Sequence, residues 1–257
     1  MHLSLAKHFG HQHSPLAMIN IPQVIRSVAD AFEDIPTLIF KLKNRKMVSF
    51  NFCKSLKEFA RSEAGQKISA IFDVGANEGQ FALMAHYCWP QAQIFSFEPD
   101  ERAVQKYLAI HKNDSKMRVR TCALGEVAGS LSMKFAKVSA QNSFLVEPGI
   151  KIENVLNIPV YRFDDLVGTL PRGDVLLKVD VQGFELSVLR GATNQLPRIT
   201  WLLLEVSLVN MYEGGCRIED ILGFVRSQGF VYWAIMDQYR LPRSRKVAQM
   251  DVLFGRP

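Results

Sequence analysis

From Lys67 onward, short apolar runs alternate with segments of helical periodicity, and this alternation constrains the fold more than any other feature of the sequence. The first run, from Ile68 to Val74, is continuously apolar apart from Ser69 and Asp73, as is typical of strands buried on both faces of a parallel sheet. Strands separated by helices predict parallel pairing with right-handed crossovers. The predicted fold class is therefore α/β, with a doubly wound, mainly parallel, Rossmann-like sheet.

The individual elements can be placed from these runs. Strands are expected at 68–74, 92–98, 117–123, 174–180, 200–206, 230–236 and 250–254, with further strands or loop excursions at 130–135 and 158–163. Helices are expected at 78–87, 100–111, 184–190 and 218–228. Because no helix separates the last two strands, that pair is predicted to be antiparallel.

Residues 1–66 lack this alternation, and we expect them to form a short, partly helical N-terminal extension that packs on a domain spanning 67–257. Helices are predicted at 22–32 and around 56–60, with a strand or hairpin over 38–52. Within the main domain, the segment 129–157 is long for a connection between sheet strands. Insertions of this kind commonly carry substrate contacts.

Composition narrows the cellular setting. Apolar residues make up 48% of the 257, which excludes a disordered chain, and no stretch approaches the length of a membrane span. The four cysteines, at positions 53, 88, 122 and 216, lie far apart without a CxxC pair. We therefore expect buried free thiols in a reducing compartment, which predicts a cytoplasmic protein.

The net charge of +6 is uneven, because residues 1–67 carry ten Lys or Arg against five Asp or Glu. A solvated surface, an anionic substrate, a membrane surface and RNA are all compatible with this excess. Peripheral membrane contact stays open. Nucleic acid is disfavoured, since neither an RNP-type aromatic motif nor zinc-knuckle spacing accompanies the charge.

In doubly wound sheets, ligands bind at the carboxyl ends of the strands, near the point where the strand order reverses. The first strand leads into a loop at 73–79, where Gly75 and Gly79 permit a tight turn. Asn77 stands where a dinucleotide fingerprint has its second glycine, and Glu78 would lie beside the phosphates. The loop therefore favours a cationic nucleoside without phosphate, such as S-adenosylmethionine, over a dinucleotide.

Glu98 ends the second strand and is followed by Pro99. A carboxylate at this position can accept hydrogen bonds from both hydroxyls of a ribose, although an acidic residue before a helix is also favoured by the helix dipole. After the third strand, Ala123 and Leu124 offer small and apolar surface for an adenine ring.

Taken together, these segments resemble the FkbM family of S-adenosylmethionine-dependent methyltransferases over residues 67–255. The resemblance is carried by the segments DVGANEG at 73–79, FEP at 97–99, ALG at 123–125 and KVDVQGFE at 178–185. It implies the seven-stranded class I methyltransferase sheet with an antiparallel last strand. The implied activity is O-methylation, often of sugars in glycolipids and polysaccharides or of polyketide hydroxyls.

The same resemblance implies roles for individual residues. The residues implied to bind the methionine part of S-adenosylmethionine are Asp73, Gly75, Asn77 and Gly79. Those implied to bind the nucleoside part are Glu98, Pro99, Ala123 and Leu124. Asn142 and Ser143 resemble an Asn-Ser pair that lines the site. Asp180 falls at the end of the fourth strand, beside the transferred methyl group.

Methyl transfer to a hydroxyl needs alignment and benefits from a base. Because no histidine follows a predicted strand, the available groups are the carboxylates of Asp180, Glu185 and Glu205. Asp180 is our predicted base or substrate orienter. Glu185 can join it across the Gly183 turn, and Lys178 shares its face of the strand. The alternative for these three residues is a structural ion-pair network. Although three carboxylates could hold Mg²⁺, no metal is predicted, since the spacing does not demand one.

Three other functions compete with O-methylation of a small-molecule, glycan or glycolipid acceptor. A nucleic acid methyltransferase is disfavoured because the segment 180–183 lacks the Asn/Asp-Pro-Pro-aromatic motif of base-methylating enzymes. A dinucleotide-dependent oxidoreductase is disfavoured by Asn77 and Glu78. A catalytically silent nucleoside-binding protein is less favoured, because Glu98 and Asp180 are both present.

Overall fold

In a computed structural model of the chain, the described residues are 49–110, 114–136, 139, 142–145 and 148–256. The helices are α1 (Phe50–Arg61), α2 (Gln80–Cys88), α3 (Glu101–Ile110), α4 (Phe163–Val167), α5 (Glu185–Arg190) and α6 (Ile218–Ser227). The strands are β1 (Ile68–Val74), β2 (Gln93–Phe97), β3 (Met117–Arg120), β4 (Ala123–Leu124), β5 (Gly129–Ala136), β6 (Ile152–Tyr161), β7 (Asp174–Val179), β8 (Trp201–Ser207), β9 (Val231–Arg240) and β10 (Val247–Gly255).

The main sheet has seven strands in the order β3-β2-β1-β7-β8-β10-β9. The neighbouring pairs β3-β2, β2-β1, β1-β7 and β7-β8 are parallel, whereas β10 runs antiparallel to both β8 and β9. This confirms the predicted α/β class, the doubly wound sheet and the antiparallel last pair. The strand order reverses between β1 and β7, so this is the point at which a ligand cleft is expected.

The first strand is apolar along its length because both of its faces are covered. Ala70, Phe72 and Val74 belong to the apolar cluster on one side of the sheet, and Ile71 belongs to the cluster on the other side. Asp73 points to the same side as Ile71, since side chains alternate along a strand. A fully buried carboxylate is thereby placed one residue before the end of the strand.

The first described helix packs against the sheet through its aromatic side chains. Ser49 begins α1, because its Oγ accepts a hydrogen bond from the Phe52 amide at 3.0 Å. Phe52, Leu56 and Phe59 are buried, and the Phe59 ring centroid lies 4.8 Å from that of Trp201. The helix predicted around 56–60 is thus confirmed. Residues 50–52 were expected in a strand or hairpin, which is wrong because the Ser49 cap starts the helix there.

Two of the predicted excursions form a second, smaller sheet of order β4-β6-β5. The predicted strand 117–123 is divided between the sheets, because a turn in which the Cys122 amide bonds to the Arg120 carbonyl separates β3 from β4. The sixth strand begins at Ile152, six residues before its predicted start at 158. Its first residues are exposed and so carry no strong apolar pattern.

The predictions for the N-terminal extension, the cysteines and membrane spans have the following outcomes. The predicted helix at 22–32, residues 38–48 of the predicted hairpin, and His111 lie outside the described residues. All four cysteines are free; positions 53 and 122 are buried as predicted, whereas 88 and 216 are half-buried. Within the described ranges, no helix has both the length and the apolar character to cross a bilayer. The domain boundary at residue 66 stays a prediction.

The backbone at Gly75, where β1 meets the end of β7, leaves no room for a side chain. Its φ is +78°, and a Cβ atom there would lie 1.8 Å from the carbonyl oxygen of Asp180. We predict that Gly75→Ala lowers the free energy of unfolding by about 2–5 kcal/mol, from left-handed strain and steric overlap. Urea denaturation measures this change.

The matched control is Gly223→Ala within α6, where an added Cβ meets no atom within 4 Å. That substitution should stabilise the protein by about 0.5–1 kcal/mol through helix propensity. Equal stability of the Gly75→Ala variant and the wild type would contradict the steric account.

Candidate active site

A cavity of about 290 Å³ lies at the carboxyl ends of the central strands. Most of the predicted site residues meet there. Among the residues that line it are Gly75, Asn77, Glu98, Pro99, Ala123, Leu124, Lys178 and Asp180. Three predicted residues, Asp73, Gly79 and Glu185, lie behind the cavity wall and contact the residues that form it.

The loop after β1 is a tight turn that brings backbone to the cavity. Gly75, Asn77 and Gly79 all have positive φ angles, of 78°, 48° and 87°. The amides of Gly75 and Ala76 both donate to the carbonyl oxygen of Phe97, at 3.0 and 3.1 Å. Asn77 Oδ1 accepts a hydrogen bond from Ser139 Oγ at 2.8 Å. The loop is thus held to β2 on one side and to the segment after β5 on the other.

Glu98 joins the loops that follow β1 and β2. Its Oε2 accepts a hydrogen bond from the Asn77 amide, and its Oε1 accepts one from the Asp100 amide, both at 2.8 Å. Burial raises the pKa of the Glu98 carboxyl to about 7, against the lowering effect of these two amide donors. Each carboxylate oxygen has a second lone pair available to a ligand hydroxyl.

Beneath the loop, Lys178 lies opposite Asp73 in the β1–β7 register. Its Nζ lies 3.2 Å from Asp73 Oδ1 and 3.5 Å from Asp180 Oδ2, and it donates to the Gly75 carbonyl oxygen at 3.0 Å. Burial lowers the pKa of Lys178, but the two carboxylates outweigh burial and raise it above its usual value. Lys178 therefore stays protonated.

Asp180 is about one-third exposed and faces the cavity directly after β7. The Gln182 side-chain amide donates to Asp180 Oδ1 at 2.8 Å and to Glu205 Oε2 at 3.1 Å. Tyr212 donates its hydroxyl hydrogen to the side-chain Oε1 of Gln182. Gln182 is held in the left-handed region, with a φ of 55°, which turns its side chain back towards these carboxylates.

Glu185 supports the turn that presents Asp180. Its Oε1 accepts hydrogen bonds from the Val181 amide at 3.1 Å and the Gly183 amide at 2.9 Å. Burial raises the pKa of the Glu185 carboxyl to about 7. The side chain therefore binds the backbone of the turn at the start of α5.

Asn142 and Ser143 connect the segment after β2 with the turn after β7. Asn142 lines the cavity as predicted. Asn142 is buried and donates through Nδ2 to Asp100 Oδ2 at 2.9 Å. Ser143 Oγ donates to the Gln182 carbonyl oxygen at 2.8 Å. These contacts place residues of the long segment after β5 over the cavity.

The far wall contains two carboxylates that the sequence analysis missed, Asp237 on β9 and Asp251 on β10. Together with Asp180 and Glu205 they form a group of four acidic side chains, and Glu98 is a fifth acidic residue that lines the same cavity. Burial and the neighbouring Asp180 raise the pKa of Asp251 to about 8 and raise that of Glu205 well above its usual value. Asp251 interrupts the apolar run at 250–254, but nothing local to that run places its side chain at the cavity.

The described residues bring neither a histidine nor a metal-binding group of side chains to the cavity. His86 lies at the end of α2, with Nδ1 3.2 Å from Asp114 Oδ2, and does not line the cavity. In the described part of the chain, no three His, Cys, Asp or Glu side chains are grouped so that they could hold a metal ion.

Several curated proteins are similar to this chain in sequence, and three of them are described here. "Methyltransferase 1" of Beauveria bassiana is 28% identical over 184 residues, covering 63% of this chain and 72% of the relative. "Hexuronic acid methyltransferase AglP" of Haloferax volcanii is 27% identical over 150 residues, which cover 56% of this chain and 58% of the relative. "2-O-methyltransferase NoeI" of Sinorhizobium fredii is 25% identical over 172 residues, covering 61% and 71%. The chain thus spans less than two-thirds of AglP.

The family described as "Methyltransferase FkbM domain" matches residues 73–232, which is more than half of the chain. The match begins at Asp73, at the end of β1 and directly before the loop that lines the cavity, and it includes Glu98, Lys178 and Asp180. The resemblance noted from the sequence is therefore confirmed: this chain belongs to the FkbM family of methyltransferases.

Proposed function

We propose that this protein transfers a methyl group from S-adenosylmethionine to a hydroxyl of a sugar, a glycolipid or another small metabolite. The observation that carries the proposal is one cavity that is lined both by Glu98 with the β1–α2 loop and by Asp180, which lies beside Gly75 of that loop. Relatives named as a hexuronic acid methyltransferase and a 2-O-methyltransferase support this class of acceptor.

The residues at the loop end fit the cofactor. Glu98 has a free lone pair on each oxygen for the two ribose hydroxyls. Ala123 and Leu124 offer apolar surface for the adenine, and the loop at Gly75 and Asn77 leaves space for the methionine part. When bound, S-adenosylmethionine supplies an electrophilic methyl group. Asp73 acts from behind the wall, since it holds Lys178 against the loop carbonyl.

Beside the loop, at the end of β7, Asp180 is the proposed residue that orients the acceptor hydroxyl and takes its proton. Its Oδ1 is fixed by Gln182, and its Oδ2 lies beside the Lys178 ammonium group. Lys178 cannot accept the proton because its raised pKa keeps it charged. Lys178 and Glu185 are thus proposed as positioning residues, the first acting on the carboxylate and the second on the turn that carries it.

The first test concerns the ribose contact. Glu98→Gln should weaken binding of S-adenosylhomocysteine by about 1–3 kcal/mol, because one acceptor oxygen becomes an amide that cannot accept. Isothermal titration calorimetry measures the change. The control is Glu101→Gln, three residues away and exposed on α3, which should bind as the wild type does. An affinity within twofold for Glu98→Gln would refute the assignment.

The second test uses pH. Because the pKa of Glu98 is about 7 without ligand, a growing fraction of this carboxyl is protonated below that pH and must lose its proton to accept both hydroxyls. The affinity for S-adenosylhomocysteine should therefore fall as the pH decreases from 8 to 6, approaching about tenfold per pH unit at the acidic end. Glu98→Gln should flatten this dependence. An equally steep slope in the variant would assign the titration to another group.

The third test concerns the acceptor end. Asp180→Asn should lower the turnover of an acceptor found in a cell extract by about 10²–10⁴-fold, which is the usual contribution of a base. Binding of S-adenosylhomocysteine should change little. The matched control is Asp165→Asn, at an exposed carboxylate of α4 whose side chain is 61% accessible. Unchanged turnover in Asp180→Asn would exclude Asp180 as the base.

A further inference from the structure

We infer that the acceptor end of the cavity is formed by a row of four carboxylates and that it takes a hydroxyl-bearing unit without an acidic group of its own. The row consists of Asp180, Glu205, Asp251 and Asp237. The inference rests on the proposed function, and it specifies the chemical class of the acceptor that the same site receives.

The strand register places the four residues side by side. Asp251 is the direct partner of Glu205 in the β8–β10 pair and of Asp237 in the β9–β10 pair. Val179 pairs with Leu204, so Asp180 follows β7 at the level of Glu205. Directly opposed side chains on neighbouring strands are close together. The row therefore crosses the sheet from β7 to β9 and faces one cavity.

The charge of this wall is not balanced by cations. Among the described residues that line the cavity, Lys178 is the only Lys, Arg or His. Its ammonium group already contacts Asp73, Asp180 and the Gly75 carbonyl oxygen. Burial and Asp180 already disfavour ionisation of Glu205 and Asp251. A carboxylate or phosphate on the bound unit would add a further negative charge to this group, in a partly enclosed space where like charges repel more strongly than in water.

The row also has unused capacity for hydrogen bonds. The Gln182 amide is shared by Asp180 and Glu205, and the Gln249 amide donates to Glu205 Oε2 at 3.0 Å. By contrast, the side-chain carboxylates of Asp237 and Asp251 accept no hydrogen bond from the described residues, although their backbones are paired in the sheet. Hydroxyl groups are donors, and carboxylates accept strongly from them. Asp237 and Asp251 thus suit a unit with several hydroxyls.

A purely structural role explains the row poorly. Like charges opposite each other on neighbouring strands destabilise a sheet. Burial and Asp180 raise the pKa of Asp251 to about 8, which shows that its ionised form is disfavoured in the folded chain. Ionised Asp251 therefore costs stability near neutral pH, and a ligand that donates to it offsets that cost.

The test identifies which unit receives the methyl group. The full-length protein is incubated with methyl-labelled S-adenosylmethionine and extracts of cell glycans, lipids and small metabolites. Labelled products are hydrolysed to their building units and separated by anion exchange. We expect the label on a neutral or basic unit. Label on a uronic acid or another acidic unit would overturn the inference while leaving the proposed function intact.

Absence of label from every extract, together with absence of S-adenosylhomocysteine binding, would contradict the proposed function itself. If S-adenosylhomocysteine binds and no extract is labelled, methyl transfer is contradicted and the inference fails with it. The two failures are thus distinguishable.

Variants test the residues of the row. Asp237→Asn combined with Asp251→Asn should raise the KM for the neutral acceptor at least tenfold, while binding of S-adenosylhomocysteine changes less than twofold. Asp165→Asn should change neither. Because like-charge repulsion is removed, Asp251→Asn alone should melt at the same temperature as the wild type or higher at pH 8. An unchanged KM, or a lower melting temperature for Asp251→Asn, would overturn the inference.

Discussion

The buried ammonium group of Lys178 is the interaction on which the rest of the site depends. It lies where the strand order reverses and contacts a carboxylate of β1, the carbonyl oxygen of the loop after β1, and the first carboxylate after β7. A charge so deeply buried is tolerable only because it is paired and hydrogen-bonded. The two strand ends that border the cavity are thereby fixed relative to each other, and Asp180 is held at the opening.

The sheet and much of the site could be predicted from the sequence, because the relevant signals are local. The continuous apolar run of β1 reflects burial on both faces, and glycine at 75 reflects a backbone contact with Asp180 that admits no side chain. The position of Glu98 follows from the end of β2, where a parallel sheet brings loops together.

Other features depend on pairing between distant segments and could not be read in this way. Asp251 faces the cavity only because β10 inserts antiparallel between β8 and β9, a register that no local pattern specifies. The early start of β6 was missed because its first residues are exposed and owe their conformation to β5. The error at residues 50–52 has a different, local cause: the Ser49 cap, which accepts a hydrogen bond from Phe52, starts a helix where a strand was predicted.

The walls of the cavity differ in where they come from along the chain. Glu98, Asn77 and Lys178 lie within the segment that matches the family, whereas Ser49, Phe52, Asp237 and Asp251 lie outside it. Under the proposed assignment, the cofactor is held by the shared segment, and the acceptor meets Asp180 and Glu205 of that segment together with Asp237 and Asp251 of the flanking strands. Changes in the strands outside the shared segment would therefore alter which hydroxyl is methylated without changing the residues that hold the cofactor. In this architecture, a new acceptor specificity requires few changes to the cofactor site.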